Sequence, residues 1–283
     1  MDSVVTAILW LGAAFFAFFL IGRLGFLVPA RVSRPKLEPS GPLPLREPEA
    51  EIPDYLKSWC NASAGASTEQ PATITAWGNG RQLAKNIPVY GQVWVPYSWT
   101  LFLLPGNSFI IRSHITWFRK LFVRSGEGLI SGSGTFIAGK TQVESEYMDR
   151  SETVLCWIYT LLLAHGAVVT TSEVNWLSTA DKKARLRISP PGHLSMDFHL
   201  LLNSEPGYLQ RIDGNRPASS DGRNLTFQVE LSDPKEFEEG RLLPSKIKMH
   251  WDQEMYNEMS LVGVVSNKNL TDIFAEGVAH WLK

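Results

Sequence analysis

The sequence predicts an α+β fold that is mainly antiparallel β, packed on a buried helix and preceded by one N-terminal transmembrane helix. Three observations carry this. From Val4 to Ile21 the chain has no charged residue. From about residue 72 onward it alternates apolar and polar residues with period two, the pattern of strands with one apolar and one wet face. Between them in kind is SETVLCWIYTLLLAH, Ser151 to His165, which is apolar nearly all round and so belongs inside a fold. At 283 residues and 44% hydrophobic content the chain can bury a sizeable core, as one larger domain or two small ones. A formal charge of -1 gives no sign of a nucleic-acid partner.

Residues 1–28 read as the anchor. As a helix, VVTAILWLGAAFFAFFLI spans about 27 Å, close to a hydrocarbon core of about 30 Å. Trp10, Phe15, Phe16, Phe18 and Phe19 face lipid in this reading, and Arg23 snorkels to the headgroups. Retention is expected rather than cleavage, because Met-Asp-Ser lacks the positive start of a signal peptide and no A-x-A site follows. Arg23, Arg31, Arg34 and Lys36 follow the span, so the positive-inside rule places the later domain in the cytoplasm of a single-pass membrane protein. Sequons at Asn61, Asn224 and Asn269 matter only on an exported domain. Residues 29–53 hold seven prolines and read as an extended linker, a spacer in preference to a partner-binding strap. Residues 54–283 form the β-rich domain.

Within that domain the strand patterns are FIIRSHITW, ARLRIS, HLSMDFHLL, LTFQVEL and KIKMHW, separated by LPGN, RSGEG, SPPG, DGNRP and SDGRN. The buried helix has a start signal in Asp149 and Glu152 and a stop at Gly166. TDIFAEGVAHWLK sets Ile273, Phe274, Val278, Trp281 and Leu282 at the spacing of a short terminal helix, weakened by Gly277.

GTFIAGKT, Gly134 to Thr141, fits the letters of a phosphate-binding loop. Its context does not: Glu144 and Glu146 alternate with Val143, Ser145 and Tyr147, which favours a strand where a helix is needed. No nucleotide site is expected. His193, Ser195, Asp197 and His199 share the polar face of one strand in this reading, with His114 or His250 as a further ligand. Alternate residues lie about 7 Å apart, so an ordinary wet face is the plainer interpretation and no metal, catalytic residue or cofactor is expected. Trp94 to Trp99, WVPYSW, marks either a core anchor beside a strand edge or bulge, or a ligand mouth or membrane rim. Cys60 and Cys156 have no redox or zinc spacing.

Taken together, WVPY (94–97), FIIRSHI (109–115), GEGLISGSG (126–134), DRSETVL (149–155), VNW (174–176) and GRLLPSKI (240–247) resemble an uncharacterised bacterial family of membrane-associated proteins. The chain departs from that pattern at His165-Gly166-Ala167. It is also similar to the LolA-type lipoprotein-carrier architecture. That resemblance implies a curved sheet or half-barrel that wraps helices and encloses an apolar cavity. The expected function is a membrane-anchored, non-enzymatic protein binding a lipid or other hydrophobic ligand. The alternative is an accessory or structural subunit packing on a larger membrane protein complex, and the third reading is a metal-dependent enzyme using the His193 to His199 face. The residues expected at the ligand or partner surface are Trp94, Trp99, Phe109, Ile111, Trp117, Phe198 and Phe227.

Overall fold

Alternation becomes one antiparallel sheet of thirteen strands in two meanders. The computed structural model describes residues 2–41, 54–64, 71–87, 91–180, 182–203, 208–218 and 221–280. The first meander is β1 (Ile74–Ile87), β2 (Gly91–Leu104), β3 (Ser108–Trp117), β4 (Lys120–Ile130), β5 (Ser133–Ala138) and β6 (Thr141–Val143). The second is β7 (Val174–Ala180), β8 (Lys183–Ile188), β9 (Met196–Leu202), β10 (Leu209–Pro217), β11 (Asn224–Glu236), β12 (Leu242–Trp251) and β13 (Glu254–Ser266). The last strand pairs antiparallel with the first, so the order runs from β6 to β1, then from β13 to β7.

Helix α3 (Glu146–Leu163) joins the meanders and contacts β5, β4 and β2 on one flank and β10 and β12 on the other. β5 and β10 stand eight places apart in the sheet. In a flat sheet that separation is about 38 Å, far beyond the width of a helix about 10 Å across. The sheet therefore curls around α3. The helix buries 14 residues, from Met148 to Leu163, against a concave face made of residues such as Leu101, Phe109, Phe198, Leu200, Phe227, Val229 and Met249.

Ser145, not Asp149, caps α3: its hydroxyl accepts from Met148 N at 3.1 Å. Asp149 instead accepts from Gly134 N at 2.7 Å and ties β5 to the helix. The helix ends at Leu163, before the expected Gly166, and a short turn of helix α4 (His165–Val169) follows. Gly139 and Lys140 form the turn between β5 and β6, with Gly139 at φ 57. The GTFIAGKT letters are thus a hairpin, with no helix starting at the Gly-Lys-Thr.

Helix α2 (Asp54–Ala64) was not anticipated, although Leu56, Trp59 and Cys60 have helical spacing. It packs against α4, where Trp59 stacks on His165 with centroids 4.4 Å apart. His165 Nε2 lies 3.0 Å from Leu162 O, and burial pushes its pKa down to about 3. Arg241, 2% exposed, donates to Leu163 O and to Ser266 Oγ and so fastens the helical layer to β13. Both cysteines are free and buried. On the convex face, α5 (Thr271–His280) kinks at Gly277 and sets Val278 in a smaller cluster with Phe102, Ile110, Ile137 and Leu270. Trp281 and Leu282 lie outside the described residues.

The uncharged N-terminal run forms α1 (Asp2–Gly25). The N-terminal helix expected to span a membrane is present as a helix, but among the described residues no helix is long and apolar enough to cross one. Trp10, Phe15, Phe16 and Phe18 are exposed, and Arg23 lies 5.5 Å from the Phe19 ring. The stretch expected to be a spacer lies along the domain as far as it is described: Arg34 pairs with Glu238 at 2.7 Å, Pro39 bridges to Lys268, and Leu37 packs on the convex cluster. Residues 42–53 lie outside the described residues.

Candidate ligand-binding groove

Curling brings together two loops from opposite flanks of the sheet. The turn Ser131–Gly132 between β4 and β5 has both residues at positive φ, 51 and 83. The loop between β8 and β9, SPPGHLS, cannot continue a strand through Pro190 and Pro191 and turns at Gly192, φ 76. His193 in that loop reaches α3, its Nδ1 3.3 Å from Thr153 Oγ1. A Cβ built on Gly132 would lie 3.2 Å from His193 Nε2, so the glycine admits the imidazole at the seam.

A groove lies at this seam. One arm, about 870 Å³, is lined by Gly106, Asn107, Leu129, Trp157, Glu173 and the Pro190–Leu194 loop among others. The second, about 460 Å³, runs along Thr153, Val154, Leu194, Met196, Asn215 and Pro217. Both touch Arg150, Thr153, His193 and Leu194. Leu129, Val154 and Trp157 belong at once to the groove wall and to the main core. Its charged rim is locally paired: Arg150 with Glu146, and Asp197 with Arg187 at 2.7 Å and Arg185 at 2.8 Å. Those hydrogen bonds hold the Asp197 carboxyl down at about 2. Burial pushes Glu173 above the usual carboxylate range.

A buried ionic cluster sits behind the groove. Arg216 on β10 donates to Ser151 Oγ at 2.8 Å and to Glu152 Oε1 at 3.1 Å on α3. Its guanidinium lies 4.7 Å from the Trp251 ring centroid and 5.5 Å from that of Phe227. Glu127 on β4 is the second carboxylate in this field, against a single guanidinium. Burial raises both acids; Glu152 is raised further by Glu127, while Arg216 opposes both shifts. Glu152 Oε2 has no hydrogen-bond partner among the described residues.

Of the seven residues expected at a ligand or partner surface, Trp99, Phe109, Ile111, Phe198 and Phe227 are buried in the main core with α3. Phe109 meets the Tyr159 ring at 5.3 Å, and Trp99 Nε1 donates to Asn79 O at 3.1 Å. The helix takes the space a ligand against Phe109, Ile111, Phe198 or Phe227 would need, while Trp99 lines a separate cleft of about 310 Å³ with Arg31 to Pro35, Phe102, Arg112 and His114. Trp94 lies beneath Arg81, 5.6 Å from its guanidinium. Trp117 stands at the tip of the β3–β4 hairpin. None of the seven lines the groove. The His193 to His199 constellation does not share one face: β9 begins at Met196, so His193 and Ser195 belong to the preceding loop. Among the described residues no three His, Cys, Asp or Glu side chains are grouped to hold a metal. Thr153, Trp157 and Leu194 were not anticipated. Of the three only Leu194 had a local signal, the turn-rich SPPGHLS that carries it.

The curved antiparallel sheet wrapping a helix that the likeness to lipoprotein carriers implies is observed; the apolar cavity it also implies is, at Phe109, Ile111, Phe198 and Phe227, occupied by α3. No family model matches the chain, and no curated protein matches it significantly in sequence. Among solved structures it is similar to a LolA superfamily protein from Nitrosomonas europaea (TM-score 0.41, 11% identity, 78% of this chain and 94% of that one). It is similar also to a domain described as an outer membrane lipoprotein-sorting protein from Vibrio parahaemolyticus (TM-score 0.44, 9% identity, 80% and 95%). A third is a DUF1329 family protein from Desulfovibrio piger (TM-score 0.39, 6% identity, 80% and 97%). Likenesses at this level carry nothing about ligand or activity.

Proposed function

We propose that this is a membrane-anchored, non-enzymatic protein that binds a lipid or other hydrophobic ligand in the seam groove. The observation that carries the reading is the continuity of groove and core through Leu129, Val154 and Trp157. A site of about 870 Å³ is within the range of small-molecule pockets. Exposed Leu194 and half-buried Met196 beside a charged rim suit an amphiphile, its chain along Leu194 and Met196 and its polar end among Arg150, Arg187 and Asn215. The ligand is placed at the groove rather than among Phe109, Ile111, Phe198 and Phe227, because α3 already covers those residues.

Anchoring by α1 is part of the same proposal. Its supports are the uncharged run from Val4 to Ile21 and the exposure of Trp10, Phe15, Phe16 and Phe18, which water solvates poorly. The cations after the span favour a cytoplasmic domain. An accessory subunit on a membrane complex is the second reading, since the same exposed apolar surface can bury against protein; it requires a partner to co-purify.

Titration of the full-length protein in detergent with a dansylated fatty acid tests the ligand proposal. Saturable emission enhancement is expected, weakened by Leu194→Glu, a change at a side chain that is 65% exposed and so spares the core. Non-saturable enhancement, identical in the variant, would refute the groove as the site.

A further inference from the structure

The β3–β4 hairpin ends in Trp117-Phe118-Arg119-Lys120-Leu121-Phe122. An apolar tip with two cations is costly to leave in water, yet Phe118, Leu121 and Phe122 are exposed, with Phe122 at 53%. The turn is stranger still. Phe118 and Arg119 both have positive φ, 48 and 60, the two-residue hairpin conformation that favours Asn-Gly. A bulky aromatic and an arginine there impose backbone strain, and strain retained at a surface tip points to a use for those side chains.

The tip lies against the end of α1. Trp117 Nε1 donates to Gly22 O at 2.8 Å, and Phe118 N to Gly25 O at 3.0 Å. The Phe26 and Phe122 rings meet edge to face at 6.1 Å. If the apolar helix enters a bilayer, the hairpin stands where it emerges. Trp at that level is favoured by the interface, and cations there by anionic headgroups. Arg23, Arg119, Lys120 and Arg124 supply positive charge, and no Asp or Glu occurs in residues 3–37 or 107–126.

We propose that the β3–β4 tip is a second membrane-docking element, seating Trp117, Phe118, Leu121 and Phe122 in the interface of an anionic bilayer beside α1. This rests on the reading of α1 as an anchor. The hairpin would fix the domain's tilt on the membrane, which a single helix leaves free.

The test uses the full chain reconstituted into vesicles of phosphatidylcholine with or without phosphatidylglycerol. Single cysteines at Phe122→Cys, Phe18→Cys and Ser133→Cys carry an NBD fluorophore; Cys60 and Cys156 are buried, and the Cys60 thiol is pushed up to about 12. With anionic lipid, shallow nitroxide lipids should quench position 122 several-fold more than position 133. Arg119→Glu with Lys120→Glu should remove most of that difference. Quenching at 18 with 122 no different from 133 overturns the hairpin proposal and leaves the anchor standing. No quenching at 18 overturns the anchor itself, and the hairpin proposal with it. Shielding of 122 from aqueous iodide without lipid quenching would mean that protein covers the tip, and also overturns the proposal.

Discussion

Replacing Arg216 by Met should destabilise the protein in a strongly pH-dependent way. The Arg216 and Glu152 side chains are 6% and 1% exposed, and Glu127 shares their field. With the guanidinium gone, the pull that opposes the raised Glu152 and Glu127 values is lost, and both carboxyls shift further up. Each further pH unit of that rise costs about 1.4 kcal/mol at a pH above the folded value. Relief of arginine desolvation offsets part, so a net loss of about 3–5 kcal/mol is expected near neutrality. The sign follows from the raised folded-state values: the protonated acid is cheap below the unfolded pKa, and stability falls as pH rises toward the folded value. The loss should therefore shrink markedly by pH 5. Urea denaturation in one detergent, followed by tryptophan emission at pH 5 and pH 8, measures it. Adding Glu152→Gln to Arg216→Met should recover part of the loss at pH 8. Equal losses at both pH values, with no recovery, would refute the reasoning.

Gly134→Ala places a Cβ 2.6 Å from Met148 O, a backbone atom that cannot yield locally, and should cost about 1–3 kcal/mol in thermal or urea unfolding. Lys140→Ala, in an exposed turn of the same octet, should change stability by less than about 0.5 kcal/mol. The folded His165 value near 3 lies below that of a free histidine, so the unfolded chain binds the extra proton first. Stability should then fall as pH drops from about 6.5 toward 3, and His165→Gln should flatten that limb of a urea-midpoint profile. Asp197→Ala breaks two exposed ion pairs and should cost no more than about 1 kcal/mol at pH 7.

Strands with one wet face were legible because their period survives in single residues. FIIRSHITW becomes β3, with Phe109 and Ile111 inward and Ile110 in the convex cluster. Ile110 shows the limit: both faces of β3 are covered there, which local alternation cannot report. Asp149 read as a helix cap because its letters suit one, but in three dimensions its carboxylate serves β5. Leu56, Trp59 and Cys60 carried a helical signal in α2 that was too short to stand out beside a proline-rich stretch. Curvature was implied by the likeness to lipoprotein carriers and not by the periodicity of any one segment. It follows from α3 touching strands eight places apart, and only that curvature creates the seam. For the same reason Glu127, Glu152 and Arg216, far apart in the chain, gave no motif, and the Pro190-Pro191 break moved His193 off the strand to which it was assigned.

Native mass spectrometry of the full-length protein, released from detergent after gentle membrane extraction, tests the central claim most directly. The account predicts a population carrying one lipid-sized adduct, depleted in Leu194→Glu while the variant keeps its unfolding midpoint. A bare mass for the wild-type chain, unchanged after incubation with extracted membrane lipid, would contradict it.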